Sequence, residues 1–297
     1  MARRWFKGNL HTHTSNSDGD SPPADVVAWY RDAGYDFLAL TDHDVVTLPG
    51  DRHDVAGSMT LIHGQELTAG DIHMNALGAR RTVEPTRAPT ERLTLQANAD
   101  SVRAAGGIPS INHPNFHWAV RPTDIEQVTG VHLFEVFNAG PETNDFGGRP
   151  GHPSTEELWD GLLALGKRMT AIAVDDAHDF RTWGHRCRNP GRAWVHVHAK
   201  SASQPDILEA LDAGASYAST GVEAQAIEVR ANGMAIDIAT EWDRAYRTSF
   251  IGRGGTLLDV VDGPEPRYRF KGSEGYVRAR IDDSDGHTAW LQAHFLD

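Results

Sequence analysis

Cysteine is nearly missing from this chain. Cys187 is the only one in 297 residues, so no internal disulfide can form, and none of the paired spacings of structural zinc or redox motifs is present. A reducing compartment is therefore permitted. Long apolar runs are missing too: none approaches the roughly 18 residues that a membrane-spanning helix needs. The opening MARRWFKGNLHTHT carries two arginines but neither the apolar stretch nor the small-residue cleavage site of a secretory signal, so cytoplasmic residence is the expectation. No strand-like run leads into a glycine-rich phosphate loop or a dinucleotide fingerprint, and there is no Gly-x-Ser-x-Gly nucleophile elbow. Basic charge is in short supply, with 28 Lys and Arg against 41 Asp and Glu for a net −13. That balance argues against extended nucleic-acid binding through a broad basic face.

What is present is a β–α alternation. FLAL (37–40), TLIHG (60–64), HMNALG (73–78), IPSI (108–111), VHLFEVF (131–137), MTAIAV (169–174), AWVHVH (193–198) and SYAST (216–220) read as strands. Between them PPADVVAWYRDAGY, PTRAPTERLTLQANADSVRAAGG, STEELWDGLLALGK and SQPDILEALDAGA read as helices, several opening on Ser, Thr or Pro and closing on Gly. Such alternation implies an α/β fold with a parallel sheet, and seven or eight units favour a closed barrel over an open doubly wound sheet. After Gly221 the pattern changes to apolar–polar alternation between Asn-Gly, Gly-Gly and Asp-Gly turns. The expected organisation is thus a barrel over 1–221 and a small antiparallel β module over 222–297 packed on it.

Ligand-type side chains recur at the ends of these strands. His11 and His13 are two apart, so both imidazoles share a strand face, and Asp18 follows in the next loop. LALTDHD puts His43 at the end of the second strand, flanked by Asp42 and Asp44, either of which could orient its ring or cap a turn. TLIHGQELTA is expected to end at Glu66, with His63 on the opposite face in a structural role, and His73 opens the following strand. His113 follows IPSIN and precedes Pro114, with Asn115 and His117 in the loop beyond. MTAIAVDDAHDF supplies Asp176 and His178 on one side and Asp175, read as structural, on the other. Oxygen and imidazole donors without thiolates suit Zn, Mn or Fe. Asp18, Glu66 and Asp176 would then lie beside cations whose charge exceeds their own, so a small-molecule anionic substrate remains compatible with the acidic composition.

The runs HTHTSNSD, TDHD, GQE, His73, NHP and DDAH resemble the motifs of the PHP (polymerase and histidinol phosphatase) superfamily over about residues 5–220. GNLHTHT to LTDHD, YASTG and the β-rich tail look most like its CehA/McbA-type branch. The resemblance implies a distorted (β/α)7 barrel and two or three divalent ions. Carried over by position, His11, His13, Glu66 and Asp176 would hold one ion, Glu66, His73 and His113 a second, and Asp18, His43 and His178 a third. It implies a hydrolase in which a metal-bound hydroxide, held by Glu66, Asp176 and His178, attacks the substrate.

Two bond types remain open at this stage. A phosphoesterase of small monoesters or diesters would use Arg181, Arg186, Arg188 and Arg192 of DFRTWGHRCRNPGR, with Arg121, His117 and Asn138 as further candidate contacts. A hydrolase of carboxylic or carbamic esters or amides would instead use an apolar rim, for which Phe116, Trp118, Phe180 and Trp183 are available. A catalytically silent metal-binding regulator would need missing ligands, and the sequence shows none missing.

Overall fold

The computed structural model describes residues 3–47 and 53–296. Its first sheet is built on β1 (Arg4–Asn9), β2 (Phe37–Leu40) and β3 (Thr60–His63), which run parallel. Its second holds β4 (Glu66–Ala69), β5 (Ile72–Leu77), β6 (Ile108–Ile111), β7 (Leu133–Asn138) and β8 (Thr170–Val174) in that spatial order. β9 (Trp194–Ala199) and β10 (Ser216–Ser219) then return to the first sheet beside β1. The helices between strands are α1 (Pro23–Asp32), α2 (His53–Ala56), α3 (Glu91–Ala104), α4 (Pro122–Glu126), α5 (Thr155–Ala164) and α6 (Gln204–Asp212).

The local signals act as their chemistry dictates. Ser154 caps α5 by accepting from Glu157 N while the Glu157 carboxylate accepts from Ser154 N, and Leu158, Trp159, Leu162 and Leu163 form the buried face. Thr90 caps α3 and Ser203 caps α6, each through a side-chain oxygen. The helix expected from Pro85 begins only at Glu91. Before it, Gln65 clamps both backbone groups of Val83, and Asn98 does the same to Thr86, which holds this stretch extended.

The regular parallel barrel is not what forms. β5 is antiparallel to both β4 and β6, and β9 is antiparallel to both β1 and β10, leaving two large mixed sheets. Apolar periodicity marks a strand but not the direction of its partner, and two connections decide direction here. β4 and β5 are separated only by Gly70 and Asp71, with Gly70 at φ 71°, a turn too short for anything but a hairpin. Between β8 and β9 there is no helix to carry a parallel crossover. TLIHGQELTA is likewise two strands, and Glu66 starts the second of them. At the break, a Cβ on Gly64 would lie 2.6 Å from the Leu40 carbonyl oxygen, so only glycine allows the chain to pass from one sheet to the other there.

The sheets meet at two isolated parallel bridges, Thr12 with Ala177 and His43 with Glu66. His13 N donates to Ala177 O at 2.9 Å and Asp176 N to His11 O at 3.1 Å; Asp44 N donates to Glu66 O at 2.8 Å. These junctions carry the residues of interest. Beyond Gly221 the described residues form strands joined by turns and one short 3-10 segment at Arg253–Gly255: β11 (Ala224–Arg230), β12 (Gly233–Ile238), β13 (Tyr246–Gly252), β14 (Thr256–Asp262), β15 (Arg267–Arg269), β16 (Tyr276–Asp283), β17 (Thr288–Leu291) and β18 (His294–Phe295). β17 pairs antiparallel with β10, so the first sheet continues into this part without interruption. Arg278 on β16 is buried and donates to both carboxylate oxygens of Asp160 on α5 at 2.8 and 2.6 Å, with Glu156 beside it at 2.8 Å.

Candidate metal centre

Glu66 is 1% exposed, and its carboxylate lies 3.1–3.3 Å from ring nitrogens of His11, His13, His43, His73 and His113. Five imidazoles cannot each satisfy a buried carboxylate as simple hydrogen-bond donors, and the arrangement fits a carboxylate that cations could share. Asp176 Oδ1 lies 3.2 Å from His11 Nε2 and 3.3 Å from His13 Nε2. Asp18, half exposed, closes the other side, with Oδ2 3.3 Å from His178 Nε2 and 3.6 Å from His43 Nε2. The His13 and His178 rings stack with centroids 4.0 Å apart. All nine ligand-type residues named from the strand ends are therefore brought into one cluster.

The junctions explain why. His11 and His13 ride on the extension of β1, Asp176 and His178 on that of β8, and the bridge at Thr12 and Ala177 sets these pairs side by side. The second bridge places His43 directly against Glu66. Asp176 holds a left-handed backbone, φ 50°, a strained conformation for a non-glycine residue that turns its carboxylate inward.

Charges in the cluster are strongly coupled. Burial works against the imidazolium of His11, but Asp176, Glu66 and Glu135 outweigh it and raise that pKa well above the usual histidine value. His13 follows the same pattern, burial opposed by Asp176 and Glu66, and is raised to about 9. His73 is raised by Glu66 against burial. Burial would lift the pKa of Glu66 and Asp176, yet the surrounding histidines, His11 foremost, hold both well below the carboxylate range.

The donors fit divalent ions. His11 Nδ1 is 2.7 Å from Glu135 Oε1, so once the Nε2 proton is lost to a cation the ring would keep its proton on Nδ1 and turn its Nε2 lone pair toward His13 Nε2, 3.1 Å away. Two ring nitrogens so placed need a proton or a cation between them. Four sets of ligand atoms lie close enough to share an ion: His13, Asp18, His43 and His178; His11, His113 and Asp176; His11, His13 and Glu66; and His43, Glu66 and His73. The grouping differs in detail from that implied by resemblance, since His13 joins the Asp18 set and His43 the Glu66–His73 set.

Several supporting residues escaped the sequence reading. Glu135, fully buried on β7, accepts from His113 N at 2.7 Å and Asn138 Nδ2 at 2.9 Å besides holding His11. A lone carboxylate inside the apolar run LFEVF was the available signal, the same one that marked Glu66. Asn112 donates to Glu66 Oε1 at 2.7 Å. Asp42 touches no imidazole directly; it accepts from Thr14, Ser17 and Thr47, and Ser17 Oγ in turn lies 3.3 Å from His13 Nδ1. Asp44, at φ 56°, accepts from Thr68 N. Asp175 accepts from Asn9, Tyr30 and the backbone of Gly191, Arg192 and Ala193.

The candidate substrate contacts are distributed unevenly. Arg188 Nη1 is 3.4 Å from His178 Nε2, at the edge of the cluster. Arg181 and Arg186 are exposed, and neither guanidinium bonds to a cluster residue. Arg192 is spent on Cys187 O, Gly184 O and Asn189. Asn138 is buried and donates to Glu135 and to Asp176 Oδ2, so its amide supports a carboxylate of the cluster. His117 lies at the rim, stacked on Phe116 and 3.1 Å from Asp71; the Phe116 ring packs against His73 and His113.

No family profile matches the chain, and no curated protein matches it in sequence. Solved structures do. A protein of Chromobacterium violaceum described as an amidohydrolase matches at 16% identity and TM-score 0.40, over 61% of this chain and 93% of that one. A protein of Bifidobacterium adolescentis proposed to be a metal-dependent phosphoesterase matches at 16% identity and TM-score 0.44, over 61% and 89%. A two-domain protein of Bacteroides vulgatus, containing a predicted PHP-like metal-dependent phosphoesterase, matches over 94% of this chain and 90% of its own, at 20% identity and TM-score 0.52. Over nearly its whole length, this chain shares its fold with that PHP-like protein.

Proposed function

We propose that this chain is a metal-dependent hydrolase of the PHP type, a phosphoesterase acting on a small phosphomonoester or phosphodiester. The observation that carries the reading is Glu66, a buried carboxylate within 3.3 Å of five histidines. The predicted activity of the Bacteroides protein of like fold supports it. In this reading the two sheets are a strongly distorted (β/α)7 barrel, and residues 222–297 are a β module packed on it. His11, His13, Glu66, Asp176, His73, His113, Asp18, His43 and His178 hold two or three Zn, Mn or Fe ions. Ions held there would supply an acidified water molecule and positive charge to offset what develops on a phosphoryl oxygen.

The chain's own residues supply orientation and substrate binding. Glu135 locks the His11 tautomer, Asn112 turns the Glu66 carboxylate, and Asn138 does so for Asp176. Arg188 is the guanidinium placed to take a phosphate oxygen beside His178. With Arg181 and Arg186 facing solvent, anion recognition falls to Arg188 and the ions, a narrower basis than the arginine-rich loop suggested. That narrowing, and the apolar Phe116 against His73 and His113, favours a second reading in which a carboxylic or carbamic ester or amide is cut. Hydrolysis of chromogenic phosphate monoester, phosphodiester, carboxylic ester and anilide substrates under Mn or Zn decides between them. The proposal expects phosphate ester turnover, with Arg188→Ala raising KM for it. Turnover confined to the carboxylic ester or anilide would establish the second reading.

A further inference from the structure

Arg188 is not free at the mouth of the site. Its Nη2 donates to Glu142 Oε2 at 2.8 Å while Nη1 faces His178. The two partners come from different loops of neighbouring parallel strands: Arg188 from the loop after β8, and Glu142 from the loop after β7. Both backbones are anchored. Arg188 N donates to Asp179 Oδ2 at 2.7 Å, and Arg188 O accepts from His178 N at 2.8 Å. On the other side Thr143 Oγ1 donates to Asn138 O at 3.1 Å, Asn144 Nδ2 donates to Glu142 O at 3.0 Å, and Asn144 is tied to Asn115 by two further bonds. The pair is thus held in register by residues that touch the metal ligands or neighbour them in sequence.

We propose that Glu142 is an internal competitor for the anion seat at Arg188, and so a specificity-determining residue of the hydrolase read above, on which the inference rests. Its carboxylate oxygen occupies Nη2, the donor that a phosphate oxygen would take, and offers lower charge than a phosphate does. The grip is weak by construction. Glu142 is 64% exposed and Arg188 26%, and pairs this open to solvent are easily displaced. A phosphate also bound by ions displaces the carboxylate; a neutral ester has nothing to gain at Arg188 and leaves the pair closed. The mouth therefore favours anions that can engage Arg188 and the centre at once.

The test is calorimetric binding of inorganic phosphate to the metal-loaded protein, comparing wild type, Glu142→Gln, Arg188→Gln and the double variant, with metal content measured on each. Glu142→Gln should tighten phosphate binding by roughly two- to fivefold, the range for a solvent-exposed ion pair, and the gain should vanish in the Arg188→Gln background. Unchanged or weaker phosphate binding in Glu142→Gln, with wild type still binding phosphate, overturns the competitor role and leaves the phosphoesterase reading standing. A gain that persists without Arg188 also overturns it. Failure of every variant, wild type included, to bind phosphate overturns both together.

Discussion

Removing Glu66 separates two accounts of the histidines. If Glu66 is the shared ligand, Glu66→Ala and Glu66→Gln both lose bound metal and turnover, and full activity in either would sink that role. Glu135 acts one step back, through His11 Nδ1. Glu135→Gln keeps the volume and loses the charge that fixes the tautomer, and metal affinity should fall by roughly 10- to 100-fold, measured by competition with a chelator. Protonation gives a further test. In the metal-free protein His13 has a folded pKa of about 9 against 6.5 for the free side chain, because Asp176 and Glu66 outweigh burial. A raised histidine pKa stabilises the fold fully below 6.5 and loses that contribution as pH rises through about 9. The metal-free Tm should therefore fall between those values, and metal loading near pH 7 should release protons and weaken as pH falls. A Tm flat across that window in the stripped protein would contradict the assigned coupling. Glu135 was as legible as Glu66, a carboxylate among apolar strand residues, but without a strand-end position it carried no motif to draw attention.

Elements were read well where periodicity is local. FLAL and IPSI coincide with β2 and β6, and Ser154 and Ser203 start their helices as their side chains require. Pairing direction was not legible, because an alternating or continuous apolar run looks the same to a parallel and an antiparallel neighbour. The information lay in the connections: the two-residue turn at Gly70–Asp71 and the helix-free segment before β9. Short pieces such as α4 fall below the length at which a helical period can be recognised. Gly64 is the element-scale test, since it lets the chain leave β3 and enter β4 at Glu66. Gly64→Ala places a methyl against the Leu40 carbonyl and should cost about 1–3 kcal/mol in urea unfolding, with metal affinity reduced as Glu66 shifts. Wild-type stability in that variant would show that the crossing tolerates a side chain.

At the scale of the molecule, the site depends on two sheets being held at fixed offset, and the part after Gly221 contributes through Arg278. This guanidinium is buried against Asp160 and Glu156 on α5, and α5 packs over β7, which carries Glu135 and Asn138. Arg278→Ala leaves the buried Asp160 without its cation, holding only the Tyr276 hydroxyl, and should destabilise the protein by about 3–5 kcal/mol in chemical denaturation, whereas Arg278→Met should cost less if Asp160 is replaced with it. Equal stability of Arg278→Ala and wild type would remove the argument that β16 braces α5. The sequence showed the change of pattern at Gly221 but not that β17 extends the sheet of β9 and β10, since that pairing joins residues far apart in the chain.

In the proposed function this cluster binds divalent ions and cleaves phosphate esters through them. Its most direct test is titration of the chelator-stripped protein with Mn or Zn while following release of p-nitrophenol from its phosphate ester. No turnover is expected without added metal, and the rate should saturate at two or three ions per chain. Turnover in the stripped protein, or none once the sites are filled, would contradict it.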